Sequence, residues 1–329
     1  MKHMLKILNY LLDRLVAKFL QVYQQKIGKP LIIGAEQYGR IGNRLYLGAH
    51  LVAWAQKKNA QLLHPGFHDY EDLFSATCVD ALVRFPESKE PLRLPPVPKK
   101  ILRISLDRLS IRFINQEHQI FQTLDLQPDG LNIAANDFLD QVTARPINFV
   151  RGFIYNNTCT HIVDAFPEIK NHYRPKSCYN SLIENPINEL REKCDLVLGI
   201  VIRHGDFKSW RGGEYFFSTD EYVQFMDKCE NLIEDTHIGF FIASDEEQDP
   251  SLFEHHQYHF RAGHPVENLH SLAACDGMIA AESSFTGWSQ YYGNVPVWHI
   301  RKDRSQSSLQ QMLDRAMQKA KDRQTDRAA

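Results

Sequence analysis

Seven apolar residues in a row, Leu196-Val197-Leu198-Gly199-Ile200-Val201-Ile202, stand out in the second half of the chain. A strand without polar alternation is one covered on both faces, as at the centre of a parallel sheet. Thr219–Ile233 then reads as a helix, with Ser218 or Thr219 as N-cap and Asp220-Glu221 in the first turn, where acids suit the dipole. Gly239-Phe240-Phe241-Ile242-Ala243 is the next strand and ends at Ser244-Asp245. Pro265-Val266-Glu267-Asn268-Leu269 opens a helix with proline near its first position. Gly277-Met278-Ile279-Ala280-Ala281 is a further strand, running into Ser283-Ser284 and a helix that starts near Phe285. Strand–helix alternation at this spacing predicts a doubly wound parallel sheet. Ligands on such sheets bind beyond the carboxyl ends of the strands.

The first half is less regular. Met4 to Tyr23 carries Leu5, Leu8, Leu12, Val16, Phe19 and Tyr23 on one helical stripe, interrupted by Lys6, Asp13, Arg14 and Lys18. Those charges rule out a spanning helix; the segment packs on the body or a partner, or lies on a membrane surface. Leu31-Ile32-Ile33 reads as a buried strand ending in Gly34, Asn43–Lys58 as a helix, and Gln61-Leu62-Leu63 as a second strand. Five of the 15 prolines fall between Pro86 and Pro98, which marks a surface loop. Ile101-Leu102-Arg103-Ile104 and Asn148-Phe149-Val150 look strand-like. The expected division is a helix at 1–28, an α/β domain at 29–180 and a second at 181–325.

Composition narrows the class. With 329 residues, 43% hydrophobic and 24% charged, the chain is a soluble globular protein of two domains or one large α/β unit. A net charge of −2 leaves no basic footprint for nucleic acid. Six scattered cysteines with no Cys-x-x-Cys pair predict reduced, buried thiols and a cytoplasmic location. Asn156-Asn157-Thr158 is a formal glycosylation acceptor, but no signal peptide accompanies it. His255, His256 and His259, like His64 and His68, read as solvated polar stretches, since no Cys or acid partner is evident for a metal.

Three segments carry candidate chemistry. Arg203-His204-Gly205-Asp206 follows the buried strand. An arginine there can present a planar fork of donors to a phosphate, and Asp206 can fix the loop or orient the guanidinium. Glu282-Ser283-Ser284-Phe285-Thr286-Gly287-Trp288 brings hydroxyls and free N–H groups to a helix start, an anion site. Gly39-Arg40-Ile41-Gly42-Asn43-Arg44 permits close backbone approach, with Asn43 as the cap of the next helix. It is neither a dinucleotide fingerprint nor a Walker loop.

Taken in order, these segments resemble the GDP-fucose-dependent fucosyltransferases, a superfamily that includes the α1,2- and α1,6-enzymes and the protein O-fucosyltransferases. Gly39-Arg40-Ile41-Gly42-Asn43-Arg44 is similar to the family's Gly-x-x-Gly-Asn loop, and Val201-Ile202-Arg203-His204-Gly205-Asp206 to its His-x-Arg-Arg-Gly-Asp motif. Ser244-Asp245, and the run from Glu267 through Cys275 to Trp288, resemble the later segments. The likeness covers roughly 31–60 and 195–300. It implies a GT-B-like pair of Rossmann-like α/β domains facing a cleft, and an inverting, metal-independent transfer of a sugar to an acceptor hydroxyl. No cofactor is implied beyond the GDP-sugar donor; the partners are that donor and a glycan or protein acceptor. Arg203 matches the essential phosphate-binding arginine, Ser283, Ser284 and Phe285 surround the diphosphate, and Glu267 or Asn268 reads the guanine. Asn43 matches the asparagine that faces the reaction centre, while Gly42, Asn43, His204, Asp206, Ser244 and Asp245 complete the nucleotide-sugar site. Glu36, on the loop beside Asn43, is the candidate general base.

Three positions depart from that pattern: Val201 stands for the family histidine, His204 for its second arginine, and Glu282 for an asparagine. A histidine there makes the second cation pH-dependent. Two alternatives follow. Arg203-His204-Gly205 also begins the histidine-phosphatase signature, although Phe207 replaces its second arginine. A non-catalytic nucleotide-sugar-binding protein is the other.

Overall fold

The run at 196–202 is the middle strand of a five-stranded, wholly parallel sheet. The computed structural model describes residues 2–126, 136–154, 160–233, 235–302 and 308–328. Asn156-Asn157-Thr158 and Cys159 lie outside them. Two compact units divide the chain, Met1–Lys176 and Ser177–Ala329.

In the first unit, strands β1 (Leu31–Gly34), β2 (Gln61–Leu63), β3 (Arg84–Phe85), β4 (Phe121–Leu126) and β5 (Ile147–Gly152) form a sheet ordered β3-β2-β1-β5-β4. Only the β2–β3 pairing is antiparallel. Helices α1 (Lys2–Ile27) and α3 (Pro96–Arg112) cover one face, burying Leu20, Leu106 and Leu109 against Leu31, Ile33 and Phe149. Helix α2 (Ile41–Lys57) is buried along nearly its whole length against the strands, beside the short helices α5 (Thr160–Asp164) and α6 (Phe166–His172). The short α4 (Asn136–Gln141) precedes β5. Ile101–Ile104 is helical, not a strand: Pro96 and Pro98 sit in the first turn of α3, where a missing N–H costs nothing. The proline-rich stretch is therefore partly a helix start.

The second unit runs α7 (Asn180–Arg191), β6 (Leu196–Ile202), α8 (Thr219–Leu232), β7 (Ile238–Ser244), β8 (Gln257–Ala262), α9 (Pro265–Ala274), β9 (Gly277–Ala281), α10 (Ser284–Gly293), β10 (Val297–Ile300) and α11 (Leu309–Ala328). The strand order is β10-β9-β6-β7-β8. Alternate β6 side chains serve opposite faces. Leu196, Leu198, Ile200 and Ile202 join Met226 of α8 and Leu313 of α11, whereas Val197 and Val201 join Leu190 of α7 and Leu272 of α9. Val201, where the family carries histidine, is thus a core residue, 6% exposed. Ser218 caps α8 reciprocally with Glu221. At the amino end of this sheet the Asp276 carboxylate accepts the Val197 N–H at 3.0 Å, and the Asp276 N–H donates back to the Val197 carbonyl at 2.8 Å. Arg191 and Arg323 stand 3.5 and 3.1 Å from the same carboxylate.

The five described cysteines are unpaired: Cys194, Cys229 and Cys275 are buried, Cys78 half-buried and Cys178 exposed. The histidines differ more from expectation. His64 and His256 are buried rather than solvated, and His172 is buried as well. Burial pushes His64 down to about 3 and His172 to about 4, so both are neutral in the fold.

Candidate functional site

Four strand ends line one rim of the second sheet. Because β9, β6, β7 and β8 are parallel neighbours, the residues after each lie side by side at a spacing of about 4.8 Å. From β9 to β8 the rim presents Ser283-Ser284, Arg203, Ser244-Asp245, and then the start of α9 with Glu267. The chain winds outward from β6 through β7 to β8, then crosses to β9 and β10. The switch point therefore falls between Arg203 and Ser283-Ser284, where α/β sheets hold their ligands.

Arg203 is shaped before any ligand arrives. Its Nε and Nη2 donate to the two Asp206 oxygens at 3.1 and 3.0 Å, and its guanidinium lies 4.5 Å above the Phe207 ring. The side chain is 20% exposed. Asp206 does orient the guanidinium, and Nη1 takes no part in that pair. The loop is braced from β7, since Asp245 accepts the His204 N–H at 2.9 Å. A Cβ on Gly205 would lie 3.0 Å from Asp245 Oδ2, a tight contact that the carboxylate would have to yield to. Asp245 thus acts on the backbone of the loop. Ser244 is buried and accepts hydrogen bonds from the Glu246 N–H and the Gln248 amide, both at 3.2 Å.

His204 is not presented with Arg203. Its residue is 8% exposed, its ring sits 5.0 Å from that of Phe216, and Nε2 donates to the Phe217 carbonyl at 2.9 Å. That bond fixes the tautomer and turns the imidazole into the protein. The side chain that stands for the second arginine is thus committed to the Phe217 carbonyl.

On the other side, Ser283 caps α10 by accepting the Thr286 N–H at 3.1 Å, and Thr286 Oγ1 donates to the Ala281 carbonyl at 3.2 Å. Ser284 and Phe285 occupy the first turn, half-exposed, where N–H groups have no intrahelical acceptor. Glu282 pairs with Arg301 at 2.9 Å. Glu267, in the first turn of α9, lies 3.5 Å from Arg261 and 3.9 Å from His264. Asn268 is 3% exposed, and its Oδ1 has no hydrogen-bond partner among the described residues. Arg261 has no sequence signal of its own; it emerges because Gln257–Ala262 is a strand.

The first unit carries the glycine loop between β1 and α2. Gly39 has φ +62°, and a Cβ there would overlap the Asn43 amide. Asn43 is the third residue of α2 rather than its cap; Arg40 is the N-cap and makes no side-chain cap bond. The Asn43 amide is half-exposed and has no hydrogen-bond partner among the described residues. Gly42 is buried. Glu36 has both oxygens engaged, with Arg151 Nη2 and the Gly152 N–H each donating at 2.7 Å. It ties the end of β1 to the end of β5, and taking an acceptor's proton means breaking one of those bonds.

Sequence reasoning gave Arg44 and Asp69 no role and read His68 as part of a solvated stretch. Arg44 is buried and donates to Asp69 at 2.7 Å, to the Gly66 carbonyl at 3.1 Å and to the Gly39 carbonyl at 3.3 Å, fastening the loop. Burial works to raise the Asp69 carboxyl, but the Arg44 bond and nearby charges outweigh it, so its pKa lies below the usual value. Burial and Arg103 push His68 down to about 4. A second cluster was also missed: α8 supplies Asp227, whose Oδ1 is 3.2 Å from His255 Nε2 and 3.3 Å from His256 Nε2. The acid partner absent from the local sequence comes from another element. This trio adjoins the amino end of β8, opposite the rim that carries Arg203.

The architecture is therefore that of a GT-B-like protein, with a doubly wound Rossmann-like sheet in each unit and a polar anion-type rim on the second. Among solved structures the chain is similar to an Arabidopsis thaliana FUT1 variant in complex with GDP, with a TM-score of 0.55 and 14% identity over 85% of this chain and 73% of that one. It also matches the NodZ α-1,6-fucosyltransferase co-crystallised with GDP, with TM-score 0.48 and 12% identity over 85% of this chain and 97% of that one. NodZ from Bradyrhizobium matches with TM-score 0.49 and 14% identity over 85% of this chain and 98% of that one. No family model matches the chain, and no curated protein matches it in sequence. The likeness to FUT1 establishes the fold and agrees with the resemblance drawn from the motifs.

Proposed function

We propose that the protein is an inverting, metal-independent glycosyltransferase that moves a sugar, fucose, from a GDP-sugar to an acceptor hydroxyl. The observation that carries this reading is the meeting of Arg203 and the α10 start at the switch point of the second sheet. The FUT1 relative in fold is a GDP complex, which supports the choice of nucleotide. The acceptor oxygen attacks the anomeric carbon as the bond to the GDP β-phosphate oxygen breaks, and the hydroxyl proton of the acceptor leaves to water. Charge then builds on the diphosphate, and Arg203, with the Ser284 and Phe285 N–H groups, stabilises it; preorganised donors of this type are usually the largest catalytic term. They stand where other transferases employ a cation. Glu267 accepts from the guanine N1–H and 2-amino group. The buried imidazole of His204, spent on Phe217, speaks against a phosphohistidine reaction.

The test is a thermal-shift panel of GDP, UDP, ADP and their sugars followed by donor turnover. Ligand at about 100 times its Kd adds roughly 2.7 kcal/mol to the native state. GDP-selective stabilisation with turnover of GDP-fucose is expected. No preference for GDP overturns the nucleotide, and GDP binding without turnover leaves a binding protein.

A further inference from the structure

Helix α1 is apolar on two neighbouring faces, one turned to the core and one outward. Val16, Leu20, Tyr23 and Ile27 pack against the core, and Asp13 is held by Arg108 of α3 at 2.6 Å. The outward stripe of Leu8, Leu11, Leu15, Phe19 and Val22 is open, with Leu15 67% exposed. At spacings of three and four these residues share one face over about 20 Å. Helix α3, packed beside it, repeats the arrangement: Leu106 and Leu109 are buried while Val97, Ile101, Ile104 and Ile111 are exposed. Single exposed apolar residues are ordinary, but continuous stripes on two adjacent helices mark an interaction surface.

The charge on the same helices chooses the occupant. Together α1 and α3 carry ten Lys and Arg against two acids, in a chain whose net charge is −2. Both acids are already paired, Asp13 with Arg108 and Asp107 with Arg151. Arg14, Lys18, Lys100 and Arg112 are exposed around the stripes. Two copies of such a surface repel each other, whereas a film of negative charge over an apolar interior satisfies both features at once. No described helix is long and apolar enough to cross a membrane. We infer that α1, with α3 beside it, lies in the plane of an anionic lipid bilayer and docks the protein there, leucines in the acyl boundary and cations among the headgroups.

The experiment is cosedimentation of the full chain with phosphatidylcholine vesicles containing or lacking phosphatidylglycerol. Binding to the anionic vesicles, at least about tenfold tighter than to neutral ones, is expected. Each basic residue removed should weaken binding about fivefold, so Arg14→Gln with Lys18→Gln loses about 25-fold. Leu15→Glu should lose at least about tenfold. Leu15 is exposed, so the variant's melting temperature should match the native one, which separates lost binding from lost folding. Failure to sediment with anionic vesicles overturns the inference. So does a native dimer that Leu15→Glu converts to monomer, which would make a second copy the occupant. Neither result bears on GDP binding by the second unit.

Discussion

Removing the Arg203 guanidinium should separate catalysis from stability. Its partner Asp206 is 42% exposed, and ion pairs of that kind contribute about 0–1 kcal/mol. Stacking over Phe207 at 4.5 Å adds about 0.5–1 kcal/mol. Arg203→Ala should therefore cost at most about 2 kcal/mol of folding, or roughly 4–8 °C in a unit of this size. Loss of a preorganised donor at the leaving diphosphate costs about 2.7–4 kcal/mol of barrier, or 10²–10³ in rate. Arg203→Lys should remain at least about tenfold impaired, because a point charge replaces the fork that both diphosphate and Asp206 engage. The assay is GDP release from GDP-fucose at 25 °C, where every variant is folded, with melting measured in parallel. Turnover by Arg203→Ala within about threefold of native would refute the reasoning, and so would a rate loss fully explained by unfolding.

Glu267→Gln should weaken GDP by roughly 1.5–3 kcal/mol, the scale for a hydrogen bond to a charged group, measured by calorimetry against UDP as control. His204→Arg, which the motif comparison alone would favour, should lower stability by about 1–3 kcal/mol in denaturant titration, because a larger cation must enter the space between Phe216 and the Phe217 carbonyl; unchanged stability would show that the ring is not confined. His172 is fully buried with neither ring nitrogen hydrogen-bonded, and its folded pKa of about 4 lies below the unfolded value near 6.5. Its contribution is present above pH 6.5 and fades as pH falls toward 4, about 2 kcal/mol at pH 5, so His172→Phe should flatten the melting-temperature profile between pH 7 and 5. Transfer should survive excess EDTA, and loss on chelation with recovery in manganese would end the metal-independent reading.

How much was legible varied with burial. The β6, β7 and β9 runs are read directly because strands covered on both faces leave no polar gaps, and their polar ends name the rim. Strand β8 hid itself: Gln257–Ala262 is an edge strand, half-buried, whose His259 and Arg261 look like loop residues. The start of α3 was masked by prolines that a first helical turn tolerates. Side-chain commitments were beyond reach. Glu36 looks free until Arg151 and Gly152, more than a hundred residues later, take both its oxygens. Asp227 reaches His255 and His256 only because α8 and the start of β8 pack together.

Asp276 gives the second sheet a fixed end. With its backbone and carboxylate both fastened to Val197, and two arginines from α7 and α11 leaning on it, β6 and β9 cannot slip past one another by a residue without breaking that knot. The strands then behave as beams clamped at one support and loaded at the other. That support lies at the amino ends of the strands, remote from the loops that carry Arg203 and Ser284, so the register of β6 and β9 is set independently of those loops.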